Sequence, residues 1–116
     1  MFLNYKEGLV LDDLSSGWSA RFIPLIDADE LKGRWHRIEV EVIWSANDGV
    51  FRAWANGELK FDFKGQTTTS DATYFRYGVY RSFVSRYQEA MNVTEVPAQW
   101  ALFSNVKRSS NRAGLN

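Results

Sequence analysis

Thr73-Tyr74-Phe75-Arg76-Tyr77-Gly78-Val79-Tyr80-Arg81 decides how this chain is read. Its residues are aromatic, β-branched, arginine or glycine, and none is acidic. That composition suits an extended strand that packs on one face and displays functional groups on the other. Alternation assigns Phe75, Tyr77 and Val79 to a packed face, and Tyr74, Arg76, Gly78 and Tyr80 to the opposite one. Arg76 and Tyr80 are then separated by roughly 13 Å of backbone at ~3.3 Å per residue, with a bare glycine between them. Such a face is either the solvated side of a β-sandwich or a groove with two polar groups and room for a ligand. Arg81 falls on the packed side by parity and suits a structural role.

Upstream lies the clearest strand pattern in the chain. In Trp35-His36-Arg37-Ile38-Glu39-Val40-Glu41-Val42-Ile43-Trp44, Ile38, Val40, Val42 and Trp44 share one face and Arg37, Glu39 and Glu41 the other, as in a half-buried antiparallel strand. Ser45-Ala46-Asn47-Asp48-Gly49 supplies a turn, Val50 to Ala55 returns, and Asn56-Gly57 turns again. Leu59, Phe61 and Phe63 then alternate with Glu58, Lys60, Asp62 and Lys64. The expectation is a three-stranded meander whose register is fixed, because a one-residue slip would bury the charges. His36 shares parity with Ile38 and Val40, which favours a structural histidine at the end of the buried face.

Tyr74-Phe75-Arg76-Tyr77-Gly78-Val79-Tyr80 resembles the Tyr-Phe-Lys-x-Gly-x-Tyr signature of jelly-roll polysaccharide lyases, the group of heparin lyase I-like enzymes, glucuronan lyases and alginate lyases. Trp35-His36, Val42-Ile43-Trp44-Ser45 and Trp54-Ala55-Asn56-Gly57 resemble segments that precede the signature in the same group, so the likeness extends over roughly residues 33 to 81. Arg76 stands where the family has lysine, which keeps the charge but replaces a point charge with a planar fork. The resemblance implies an all-β, concanavalin-like jelly-roll sandwich of antiparallel strands. It covers only the second half of such a domain, so the sandwich is expected to be incomplete, with residues 1–108 forming a single partial jelly roll and 109–116 a polar tail. The family's Gln-x-His strand is missing from this sequence: Gln66, Gln88 and Gln99 are the only glutamines, and none has a histidine two residues later. Half a sandwich leaves strand edges and an apolar face uncovered, so self-association or a partner chain is expected to complete it.

Composition narrows the functional classes. The 116 residues suit one domain, and 45% hydrophobic content with 16% aromatics excludes a disordered chain. There is no cysteine, hence no disulfide, thiolate metal site or cysteine nucleophile. A lone histidine, His36, is too little for a His-rich metal cluster, and no metal or other cofactor is expected. No apolar run is long enough to span a bilayer. The first residues show no secretory signal, whereas the family resemblance implies an extracellular or periplasmic setting. Net charge is zero but unevenly spread: residues 1–71 hold 12 acids and 8 bases, residues 72–116 two acids and six bases. A basic second half suits an anionic ligand, and with no nucleic-acid motif an acidic polysaccharide is preferred over nucleic acid.

The remaining segments are less informative. Leu9-Val10-Leu11 suits a strand, Asp12 to Gly17 a turn, and Trp18 to Ile26 an extended segment whose Pro24 argues for a sheet edge. Asp27 to Gly33 is a charged connector. Phe83, Tyr87 and Met91 recur at four-residue spacing and predict a short helix within 82–93. Trp100 to Lys107 alternates as a last strand and resembles the closing strand of the lyase group.

Lyases of this kind cleave the bond to O4 of a uronic acid by β-elimination. The carboxylate must be neutralised, a base must take the C5 proton, and an acid must protonate the departing oxygen. On the resemblance, Tyr80 is the catalytic acid and a candidate for the base, Arg76 binds substrate, and Tyr74 stacks on a sugar ring or packs. The alternative is a non-catalytic carbohydrate-binding or structural jelly-roll module within a larger assembly.

Overall fold

Among the described residues, five antiparallel strands, one short α-helix and one 3-10 turn make up the regular structure. The computed structural model describes residues 2–7, 19–79, 81 and 84–116, with side chains from Ile23 onward. β1 (Phe2–Glu7) and β2 (Ser19–Pro24) pair antiparallel, with Phe2 opposite Pro24 and Glu7 opposite Ser19. β3 (Ile38–Ile43), β4 (Gly49–Ala55) and β5 (Glu58–Gly65) form the expected meander in the order β3-β4-β5. The fold is all-β and jelly-roll-like, with little helix. The segments Leu9–Leu11 and Asp12–Gly17 lie outside the described residues.

Both turns of the meander follow from local chemistry. Asn56 (φ 51°) and Gly57 (φ 87°) adopt the left-handed pair that a two-residue hairpin turn requires. The β3–β4 loop is closed by Ser45 and Thr67. Ser45 Oγ donates to Asp48 Oδ1 at 2.7 Å and accepts from the Asn47 and Asp48 amides at 3.2 Å. The Thr67 hydroxyl accepts from the Ser45 amide at 2.8 Å and donates to the Ile43 carbonyl at 2.7 Å, while the Thr67 amide donates to the Ser45 carbonyl at 2.9 Å.

The faces of the meander are not filled as the alternation predicts. Ile38, Val40, Ile43 and Trp44 are exposed, whereas Glu39 is buried. The reason is position in the sheet. Val40 and Ile38 stand opposite Ala53 and Ala55, and the core forms where Leu25 and Ile26 cover those two alanines, joined by Leu31, Phe51 and Phe61. That cover lies over β4 and β5, and the edge strand β3 projects beyond it. Glu39 is tolerated inside because Arg37 Nε approaches its carboxylate at 3.0 Å, satisfying a charge that would otherwise be costly. A bulge in β5 breaks the other alternation: Phe61 pairs with Ala53 but Leu59 pairs with Trp54, so Lys60 is the extra residue and Leu59 is exposed.

The chain divides into two compact units, Met1–Thr73 and Tyr74–Asn116. The first holds both sheets and the core. In the second, the predicted helix forms as α1 (Val84–Met91). It ends in a Schellman arrangement, with the Val93 amide donating to the Gln88 carbonyl at 3.0 Å, the Asn92 amide to the Glu89 carbonyl at 3.3 Å, and Asn92 in the left-handed region (φ 51°). A single 3-10 turn, Arg112–Leu115, is capped by the Asn111 side chain.

The two other strands expected in this unit do not form. Residues 72–79 and 100–107 join no ladder among the described residues. Gly78 at φ 146° and Asn105 at φ 57° leave the β region in each segment, and a strand conformation without a hydrogen-bonded neighbour has little to hold it. The apolar side chains these segments would have packed stay exposed, among them Phe75, Tyr77, Trp100 and Leu102.

Candidate functional site

The signature segment keeps its two-sidedness although it is not a ladder strand. The Arg76 guanidinium carbon lies 4.5 Å from the centroid of the Tyr74 ring and over its face. Phe75 and Tyr77 associate separately, ring centroids 6.0 Å apart, and Tyr77 meets Phe103 edge-on at 5.3 Å. The grouping Tyr74 with Arg76, and Phe75 with Tyr77, is the one that alternation dictates. It also links the signature to Phe103, on the segment expected to form the closing strand. Tyr80 lies outside the described residues.

Arg76 has no carboxylate partner among the described residues, in contrast with the arginines of the meander. Arg52 bridges two neighbouring strands: its Nη1 donates to Glu41 Oε2 at 3.3 Å and its Nε to Asp62 Oδ1 at 3.0 Å. Those bonds, that to Asp62 foremost, raise the Arg52 pKa above its ordinary value. Glu41, Arg52 and Asp62 are register neighbours, so the row is a cross-strand ion ladder. A guanidinium already held by two carboxylates is a poor receptor for a third, which leaves Arg76 the better anion ligand of the two.

His36 has both ring nitrogens occupied. Nε2 faces the Glu30 carbonyl oxygen at 3.0 Å, and Nδ1 faces the Asn56 side-chain nitrogen at 3.1 Å. Asn56 Oδ1 accepts from the Arg37 amide at 3.0 Å, which fixes the amide orientation and makes Nδ2 the donor toward His36. The imidazole therefore carries its proton on Nε2 and accepts at Nδ1. His36 is structural, and Asn56, legible in the sequence only as a turn residue, is what holds it.

The chain is thus an all-β, jelly-roll-like protein that holds an exposed cation over an aromatic ring. The family model described as "Polysaccharide lyase" matches residues 15–107. The chain belongs to the polysaccharide lyase family. No curated protein and no solved structure matches it.

Proposed function

We propose that this chain acts on a uronic-acid-containing polysaccharide by β-elimination, with Arg76 binding the substrate carboxylate and Tyr80 serving as acid and base. In that reaction the C5–H bond breaks as the base takes the proton, its electrons form the C4–C5 double bond, and the C4–O4 bond breaks. The acid protonates the departing O4. The C5 proton is hard to remove while the adjacent carboxylate keeps its full negative charge, and offsetting that charge is the service a guanidinium supplies. A phenol is competent in proton transfer once it is within hydrogen-bond reach and suitably tuned.

The observation that carries this is the family match over residues 15–107, a span that includes Tyr74 to Tyr80. The test is incubation with glucuronan, alginate and heparin-like glycans, following the ultraviolet absorbance of the unsaturated uronate product. Product formed by wild type and abolished in Tyr80→Phe supports the assignment. Product formed equally by that variant removes Tyr80 from it.

A second reading, a carbohydrate-binding or structural module without turnover, is favoured by one observation. The only histidine of the sequence has both nitrogens engaged in fold-supporting bonds, so histidine chemistry is not on offer from these 116 residues. Glycan binding without product selects this second reading.

A further inference from the structure

We infer that Tyr74 is a positioning residue for Arg76, holding its guanidinium over the phenol ring so that its N–H edge reads a planar carboxylate. The inference rests on the function proposed above and gives Tyr74 a role other than stacking on a sugar. Four features support it.

The first is the contact. The guanidinium carbon stands over the Tyr74 ring at 4.5 Å from the centroid, within the ~6 Å at which the ring quadrupole attracts a cation. The second is what the contact leaves free. A cation over a ring is held through its π-face, so none of the five N–H donors is used by it. No described carboxylate takes them up either, unlike those of Arg37 and Arg52. The third is exposure: Tyr74 is 72% exposed, so the pair is open to a polymer that could not enter a closed cavity. The fourth is residue type. A lysine over the same ring would present a point charge with rotatable donors, indifferent to ligand shape, whereas the guanidinium fork matches the two oxygens of a carboxylate. The ring removes much of the freedom of a long exposed side chain, and so lowers what is lost in ordering it on binding. The ring face under Arg76 is also closed to a sugar.

The ligand class that follows is a glycan bearing carboxylates, discriminated from its carboxyl-reduced, neutral counterpart. The test is calorimetric titration of the full chain with a glucuronate oligosaccharide and with the same oligosaccharide after carboxyl reduction, alongside the proton spectrum of the Arg76 side chain. In the free protein the Arg76 δ-methylene protons are expected to show an upfield ring-current shift that persists in Tyr74→Phe and disappears in Tyr74→Leu. Tyr74→Phe is expected to bind within two-fold of wild type. Tyr74→Leu should weaken binding of the carboxylated ligand about three-fold, and Arg76→Lys about ten-fold. The Tyr74→Leu/Arg76→Lys double variant should be no weaker than Arg76→Lys alone, since the brace acts only through the fork. Binding of the reduced ligand should be unchanged in all of them.

If Arg76→Lys weakens binding while Tyr74→Leu equals wild type, the positioning role is wrong and the proposed function survives. If Tyr74→Leu weakens both ligands equally, Tyr74 is a sugar platform and the inference is again overturned alone. If neither ligand binds and no product forms from any uronate glycan, both fall.

Discussion

The Asn56 side-chain amide donates to His36 Nδ1 at 3.1 Å while its carbonyl oxygen receives the Arg37 amide at 3.0 Å. One turn residue thus clamps the segment that leads into β3. Its own amide adds a third bond, to the Arg37 carbonyl at 2.8 Å. The clamp depends on the left-handed backbone of the Asn-Gly turn, because only that conformation aims an asparagine side chain back across the sheet edge while keeping the hairpin tight.

Replacing Asn56 should therefore separate backbone from side-chain effects. Asn56→Gly keeps the left-handed conformation and loses the two side-chain bonds, costing about 1 kcal/mol. Asn56→Ala loses both, costing about 2 kcal/mol. Chemical denaturation checks the order: no loss in Asn56→Gly would show that the side-chain bonds are idle, and equal losses in the two variants would show that the left-handed conformation contributes nothing.

Gly49 opens β4 directly beneath Thr67. A Cβ there would collide with the Thr67 hydroxyl and lie 2.6 Å from the Ile43 carbonyl oxygen. Gly49→Ala is expected to destabilise by about 1–3 kcal/mol, since the backbone on one side cannot yield. In a double-mutant cycle read by chemical denaturation, Gly49→Ala should cost less in a Thr67→Ala background, where the hydroxyl is already gone, but should still cost something because the carbonyl remains.

Glu39 and Arg37 form an asymmetric pair: the carboxylate side chain is 8% exposed, the guanidinium 55%. Arg37→Ala removes an ion-pair partner of a buried carboxylate and should cost about 1–3 kcal/mol. Glu39→Gln, which removes the charge and keeps the shape, should be milder. The comparison is made by thermal unfolding at neutral pH, and the reverse order would mean that the carboxylate is not dependent on Arg37.

Gly78 takes φ 146° with open space where a side chain would stand. Gly78→Ala is then a test of backbone conformation alone, with an expected cost of about 1–2 kcal/mol confined to Tyr74–Asn116. Hydrogen exchange resolved by segment reads it: faster exchange in that unit and unchanged protection in β3–β5 is the expected result.

Much of the architecture was legible because it is written in short-range patterns. Asn56-Gly57 announced the β4–β5 hairpin, the period-two run from Ile38 announced β3, and the four-residue spacing of Tyr87 and Met91 announced α1. The pairing of Tyr74 with Arg76, and of Phe75 with Tyr77, likewise follows from alternation along the segment. The family relationship too lay in the sequence, in the segment from Tyr74 to Tyr80 and in the Trp-x-Asn-Gly hairpin.

What the sequence by itself determined is which residues share a face, where the chain turns and to which family it belongs. Only the tertiary structure decided which face is covered. Alternation defines two sides of a strand, but burial depends on distant segments, here Leu25 and Ile26 lying over Ala53 and Ala55, and on β3 being an edge. For the same reason a buried Glu39, a bulge at Lys60 and a doubly bonded His36 could not be foreseen, and among the described residues the strand expected from Thr73 gave way to a segment without a ladder. A strand is completed by the neighbour it bonds to, and local sequence does not specify that neighbour.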